Sequence, residues 1–295
     1  MTTTIERPLI GVAMVCLGVM GFASADVFTK LLVTSLPVPF IMAVRYVVSV
    51  AVFLVLIGPK RRVGVLRANR PMLVIGRGII LTLGSLTMGI ALQTIPVGEA
   101  TAIIYLSPIA VMILAIPVLG ERVTALGWLG AALGFLGVLL IIRPSGGLDS
   151  FGVAMALINA VCATLYHLST RYLAKIERPA TLMIYTLLVG AVTFTLLAFD
   201  DLFKYAPTLQ EWAMMAGLGV VATLGHFLIT LSYREAPASL LAPVNYVHIL
   251  FSALAAWIVF DHAPDVLTSI GMLCIALAGA GIALYSHFTK LASRA

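Results

Sequence analysis

Nine polar residues stand inside stretches that are otherwise apolar: Asp26, Arg45, Glu99, Tyr105, His167, His226, Asn245, Tyr246 and His248. Each type brings its own chemistry to such a setting. A carboxylate can become neutral by taking a proton, whereas an arginine stays charged and marks an ion pair or an anion site. Imidazole titrates near neutral pH and can hand protons on. Tyrosine offers a flat apolar face and one hydroxyl, which suits a planar or amphipathic solute. Together the nine could bind a small organic molecule and link its binding to protons. The competing reading of Asp26 and Arg45 is a fixed bridge between two helices. That of each histidine is a satisfied buried hydrogen-bonding group.

The same residues exclude other chemistry. His226 and His248 lie in different stretches with no carboxylate three or four positions away, so no metal site is expected. Cys16, Cys162 and Cys274 each sit in an apolar run and read as small core residues, neither a disulfide framework nor a thiolate metal site. No phosphate-binding glycine loop or catalytic motif occurs, so neither a cofactor nor an enzyme is expected.

These residues need long apolar elements to hold them. Of 295 residues, 61% are hydrophobic and 10% charged, too few charges to coat a water-facing surface. That excludes an ordinary soluble enzyme, a nucleic-acid binder and a disordered chain. Apolar runs bounded by Pro, Gly or charge predict ten membrane-spanning helices. They cover residues 9–33, 38–58, 72–94, 97–118, 123–142, 151–173, 180–199, 211–233, 237–260 and 265–286. The runs are too long for strands and lack the alternation of an outer-membrane barrel. The first exceeds a signal-peptide core and reads as a span. The fold class is therefore an all-α integral membrane protein.

With the amino terminus inside, thirteen Lys and Arg fall on the inner side and three (Lys30, Arg143, Lys204) on the outer side, Arg45 and Arg77 being set aside as intramembrane. The positive-inside rule then places both termini in the cytoplasm. Arg77 is close enough to a span end to snorkel to the inner headgroups. The Pro59–Pro71 loop reads as the main topological anchor, and Trp128, Trp212 and Trp257 as interface anchors.

Shifted by 141 residues, the sequence partly overlays itself. Gly11-Val12-Ala13-Met14 meets Gly152-Val153-Ala154-Met155, Thr82-Leu83-Gly84 meets Thr223-Leu224-Gly225, Pro96 meets Pro237, and Tyr105 meets Tyr246. Two repeats are expected, 9–142 and 151–286. Five spans is an odd number, so the second copy enters the membrane from the opposite side. Inverted repeats of this kind build secondary transporters, with the site near the midplane between halves. Asp26 overlays His167, and Tyr105 with Tyr246 falls at the depth where the site is expected.

Pro96 to Pro144 resembles the EamA repeat of the drug/metabolite transporter superfamily. The resemblance is carried by Ser107-Pro108, Gly120-Glu121-Arg122, Trp128-Leu129-Gly130, Gly134, Gly137 and Arg143-Pro144; in the second repeat Phe260-Asp261-His262 stands where Gly-Glu-Arg usually recurs. Asp26 with Lys30, Arg45-Tyr46, Arg70-Pro71 and Arg77-Gly78 look like the branch of S-adenosylmethionine and riboflavin carriers. The resemblance implies ten helices as two inverted EamA repeats, moving a small organic metabolite across a bacterial inner membrane without ATP. The partners are then a small-molecule substrate and the lipid bilayer, with no nucleic acid. An uncoupled exporter or exchanger is the alternative, and a membrane scaffold or receptor the remote one.

Gly130, Gly134 and Gly137, and Ala276, Gly279, Ala280 and Gly281, put small residues on the fifth and tenth spans. Such faces let helices approach closely, within one chain or across a homodimer. Pro108, Pro117 and Pro243 inside spans are expected kinks.

Overall fold

The computed structural model describes residues 7–57, 62–95, 100, 103–142, 148–260 and 265–292. Its main helices are α1 (Pro8–Leu32), α2 (Val38–Ile57), α3 (Pro71–Thr94), α4 (Leu106–Leu119), α5 (Ala125–Ile142), α6 (Ser150–Ala174), α7 (Pro179–Leu197), α8 (Leu209–Glu235), α9 (Ala238–Val244), α10 (Val247–Phe260) and α11 (Val266–Ala292). Single helical turns at Arg62–Val65 and Asp201–Lys204 lie in connections. No strand occurs among the described residues. Seven stretches are long and apolar enough to cross a bilayer, α9 and α10 counting together as one; α4, α5 and part of α11 are shorter apolar helices. The protein is an all-α, ten-span membrane protein.

Local chemistry sets the helix ends. Pro8, Pro71 and Pro179 occupy first-turn positions, where a missing N–H costs nothing. The Asp149 carboxylate accepts from the Gly152 N–H at 2.8 Å, and Thr208 with Glu211 closes a capping box on α8. Gly120 ends α4 at φ +66°, the left-handed conformation that glycine adopts most easily. The Glu121 N–H then reaches back to the Ala115 carbonyl at 3.2 Å. The glycine of the Gly-Glu-Arg motif is thus a helix stop.

The packing repeats itself under the 141-residue shift. α1 packs on α8 as α6 packs on α3; α2 on α8 as α7 on α3; α1 on α10 as α6 on α4. α2 packs on its own counterpart α7, and α5 on its counterpart α11. In the last pair Gly137 faces Gly271 so closely that a Cβ on either would lie 2.6 Å from the other's carbonyl oxygen. One of the expected small-residue positions, Gly137, therefore serves close approach within one chain, against Gly271.

One end of the bundle is basic. Arg7, Arg70, Arg171, Arg178 and Arg234 gather there, and the Arg7 N–H donates to the Glu235 carbonyl at 2.8 Å, joining the start of α1 to the end of α8. At the opposite end the α1–α2 turn meets the start of α8, where the Ser35 hydroxyl donates to Glu211 Oε1 at 2.6 Å.

Candidate functional site

The carboxylate of Asp26 meets His248 in an ion-pair contact, with 3.0 Å between Oδ2 and Nε2 but without the alignment of a hydrogen bond. The other ring nitrogen of His248 shares a hydrogen bond with the Tyr105 hydroxyl. This Asp–His–Tyr cluster joins α1, the start of α10 and the break before α4. The expected Asp26–Arg45 bridge does not form. Arg45 sits beside Met42 Sδ at 3.3 Å and over the Tyr46 ring at 4.8 Å, meets no carboxylate among the described residues, and leaves its Nε without a partner. The physical reason is packing: α1 packs directly on α10, which carries His248, and makes no comparable contact with α2, which carries Arg45.

Asp26 is 51% exposed at its side chain, and its place on α1 says what it is exposed to. Residues seven and eleven apart share a helix face. Asp26 therefore lies above Val15 and Val19, both buried, and away from the exposed stripe of Leu17, Met20 and Leu31. A polar side chain on the inward face of a membrane helix that is nonetheless half exposed borders an internal water-accessible space.

Tyr105 and Tyr246 also meet. The Tyr246 hydroxyl donates to the Tyr105 carbonyl at 3.3 Å and the rings lie 5.7 Å apart. Both residues sit at helix interruptions. Tyr105 is a turn ahead of α4, and Asn245–Tyr246 separates α9 from α10, so the fourth and ninth spans are broken where the sequence suggested continuous helices. Pro243 supplies no N–H, and the chain tightens through three-residue bonds such as Tyr246 N–H to the Pro243 carbonyl at 3.2 Å. Irregular backbone at membrane depth needs protein or water to satisfy it. Tyr246 is fully buried with its ring edge against Gly134. Asn245 turns back on its own helix, donating to the Leu241 carbonyl at 3.1 Å.

Phe22 links this cluster to a second one, its ring 4.6 Å from that of His226 and 6.4 Å from that of His248. His226 pairs with the Tyr166 hydroxyl at 3.3 Å, and that hydroxyl also accepts from Arg77 Nη2 at 2.7 Å. Arg77 is 1% exposed. It does not snorkel. Its Nε donates to Thr170 at 2.7 Å, Nη1 to Thr186 at 2.6 Å and to the Leu182 carbonyl at 3.0 Å, and Nη2 also to Thr230 at 3.2 Å. The guanidinium carbon lies 4.3 Å from the Tyr166 ring centroid, a cation–π distance. Six residues of helix, about 9 Å, separate Arg77 from the start of α3, but hydroxyls on three neighbouring helices converge on its fork and hold it inside. Thr170, Thr186 and Thr230 looked like ordinary span residues. Their only signal was that each stands in the part of its helix near the basic end. His167 makes a separate pair with the Tyr233 hydroxyl at 2.9 Å. Glu99 lies outside the described residues.

Nearer the basic end a further group is fastened. Glu121 Oε1 and Arg171 Nε form a buried ion pair at 2.8 Å. Glu121 Oε2 accepts from the Ser239 N–H at 3.0 Å and Arg171 donates to the Tyr233 carbonyl at 2.7 Å. The Gly-Glu-Arg motif thus ties the end of α4 to α6, α8 and the start of α9. Together the Arg77 cage and this pair cross-link α3, α4, α6, α7, α8 and the start of α9 in the half of the bundle nearer the basic end.

The EamA-like transporter family model matches the chain twice, over residues 9–143 and 150–286. The chain belongs to the EamA-like transporter family. It is 28% identical to the pseudopaline exporter of Pseudomonas aeruginosa over 91% of this chain and 94% of that one. It is 26% identical to a riboflavin transporter of Rhizobium johnstonii over 88% and 86%. It is likewise 26% identical to an S-adenosylmethionine uptake transporter of Rickettsia bellii over 93% and 94%. A solved crystal structure superposes with a TM-score of 0.79 at 23% identity, covering 96% of this chain and 98% of that one, a likeness of fold. This EamA-like protein is thus a multi-pass membrane transporter rather than an enzyme, of a kind whose relatives carry small organic metabolites.

Proposed function

We propose that this protein is a secondary carrier of a bacterial inner membrane, both termini cytoplasmic, moving a small organic metabolite by alternating access with proton coupling through Asp26. The relatives' names span pseudopaline, riboflavin and S-adenosylmethionine, and include both export and uptake, so the substrate class is a small organic solute and direction is a property of each carrier. The orientation rests on the basic end facing the cytoplasm.

One observation carries the mechanism: Asp26 is half exposed on the inward face of α1 while it holds His248 at 3.0 Å. A proton arriving at Asp26 neutralises the carboxylate and weakens its hold on His248, which frees the Tyr105 hydroxyl and the break ahead of α4 to rearrange. A carboxylate that must discharge its proton before the site reopens links the proton to the substrate. Arg45, a permanent cation with no carboxylate partner among the described residues, is suited to an anionic group of the solute. That same feature favours the second reading, exchange without ion coupling, in which the solute itself neutralises Arg45.

Proteoliposomes separate the two. Under an imposed proton gradient, the coupled carrier accumulates labelled solute above equilibrium. Asp26→Asn abolishes accumulation and preserves counterflow. Accumulation that persists in Asp26→Asn overturns the coupling role.

A further inference from the structure

At the basic end, a cavity of about 470 Å³ opens between the α2–α3 connection and the α6–α7 connection, lined by Gly64, Arg67, Asn69, Glu177 and Arg178. Its charges are arranged in an unusual way. Glu177 is buried and fully engaged elsewhere: Oε1 accepts from the Arg70 N–H at 2.6 Å and Oε2 from the Asn69 amide at 3.3 Å. Asn69 also donates to the Ile176 carbonyl at 3.0 Å. The carboxylate among the described lining residues is therefore spent on capping α3 and on holding the two connections together. The guanidinium groups of Arg67 and Arg178, both exposed, are left with no ion-pair or hydrogen-bond partner among the described residues. Two unpaired guanidinium groups facing one cavity form a fork-rich anion site of the kind that phosphate fits bidentately.

The flanks point to the source of the anion. Leu66, Met72, Leu73 and Ile176, in or next to the same two connections, are large apolar side chains left exposed, Met72 by 82%. Exposed apolar residues at the end of a membrane span are acyl-chain contacts, whereas a free anion would have no use for them. Basic pockets between spans beside such surfaces are suited to lipid headgroups.

We propose that this cavity binds the phosphate of an anionic phospholipid, clamping the α2–α3 connection to the α6–α7 connection. This is independent of the reading of the Asp26 site. Because Glu177 joins the same two connections, the lipid reinforces a latch that already exists.

The test uses the full-length protein in detergent and reads thermal unfolding, so its outcome does not depend on transport. Phosphatidylglycerol is expected to raise the melting temperature by about 4 °C over the same amount of phosphatidylcholine. The double variant Arg67→Gln/Arg178→Gln should melt like the parent without lipid and lose that difference. Lys175→Gln, which removes a neighbouring exposed charge that does not line the cavity, should keep it. Native mass spectrometry should show one retained phosphatidylglycerol in the parent and none in the double variant. An unchanged lipid response in the double variant overturns the site. A shift produced equally by millimolar inorganic phosphate, and lost in the double variant, overturns the lipid as its ligand.

Discussion

Tyr105 and Tyr246, equivalent residues of the two repeats, touch one another, the Tyr246 hydroxyl donating to the Tyr105 main-chain carbonyl at 3.3 Å. Residues related by a pseudo-two-fold axis meet only where they lie close to it. The axis therefore runs past the interruptions of the fourth and ninth spans, and the Asp26–His248–Tyr105 cluster is attached to it. The cluster is itself asymmetric: Asp26 overlays His167, and His248 overlays Ser107. Symmetry builds the frame and departures from it build the site.

The Tyr246 ring is wedged against Gly134, where a Cβ would lie 2.4 Å from Cδ2. Gly134→Ala should cost about 1–3 kcal/mol and displace the ring. Tyr246→Phe, which loses only the hydrogen bond to Tyr105, should cost about 1 kcal/mol. Thermal unfolding in detergent compares them, and Gly134→Ala should be the more damaging.

Arg77→Ala should be far more destabilising than Arg45→Ala. The first strips five hydrogen bonds and leaves a void among α3, α6, α7 and α8, a loss of about 3–5 kcal/mol. The second removes a half-buried cation whose guanidinium hydrogen-bonds Met42 and lies over the Tyr46 ring, with no carboxylate partner among the described residues. Arg77→Lys should rescue little, since one ammonium has three donors on a flexible stem against a planar fork of five. Equal melting temperatures for the two alanine variants would show that the cage contributes nothing.

Uphill transport should vary with pH in the parent and lose that dependence in Asp26→Asn. His248→Gln removes the protonatable partner and leaves the carboxylate. Its pH profile should shift, with retained accumulation. Initial rates in proteoliposomes across a series of external pH values measure both.

Glu121→Ala leaves the buried Arg171 without its carboxylate and frees the Ser239 N–H, and should cost about 3–5 kcal/mol. Glu121→Gln keeps hydrogen-bonding capacity and should cost less. If the pair closes the basic end, Glu121→Gln should also raise labelling of a cysteine placed at Ser239 by a thiol reagent added from that side.

Much of the fold was legible in the chain. A bilayer demands about 20 apolar residues per span, so the spans announce themselves, and a constant 141-residue offset exposes the duplication. The interruptions of the fourth and ninth spans were only hinted at by Pro108 and Pro243, because a proline can kink a helix or end it and the choice depends on neighbours. Asp26, Tyr105, Tyr246 and His248 stood out as polar groups in apolar runs, and they do come together. Thr170, Thr186 and Thr230 did not stand out, because threonine is unremarkable in a span until three of them converge.

Ten spans, two repeats and an inward polar set follow from the sequence itself, since hydrophobicity and periodicity are local properties that one chain displays along its length. Pairing is different. Whether Asp26 chose Arg45 or His248, and whether Arg77 reached the headgroups or a buried cage, depended on distances between residues remote in the chain. Those distances exist only once the helices have packed, and charge–partner energies fall off too steeply with distance for residue type alone to decide them.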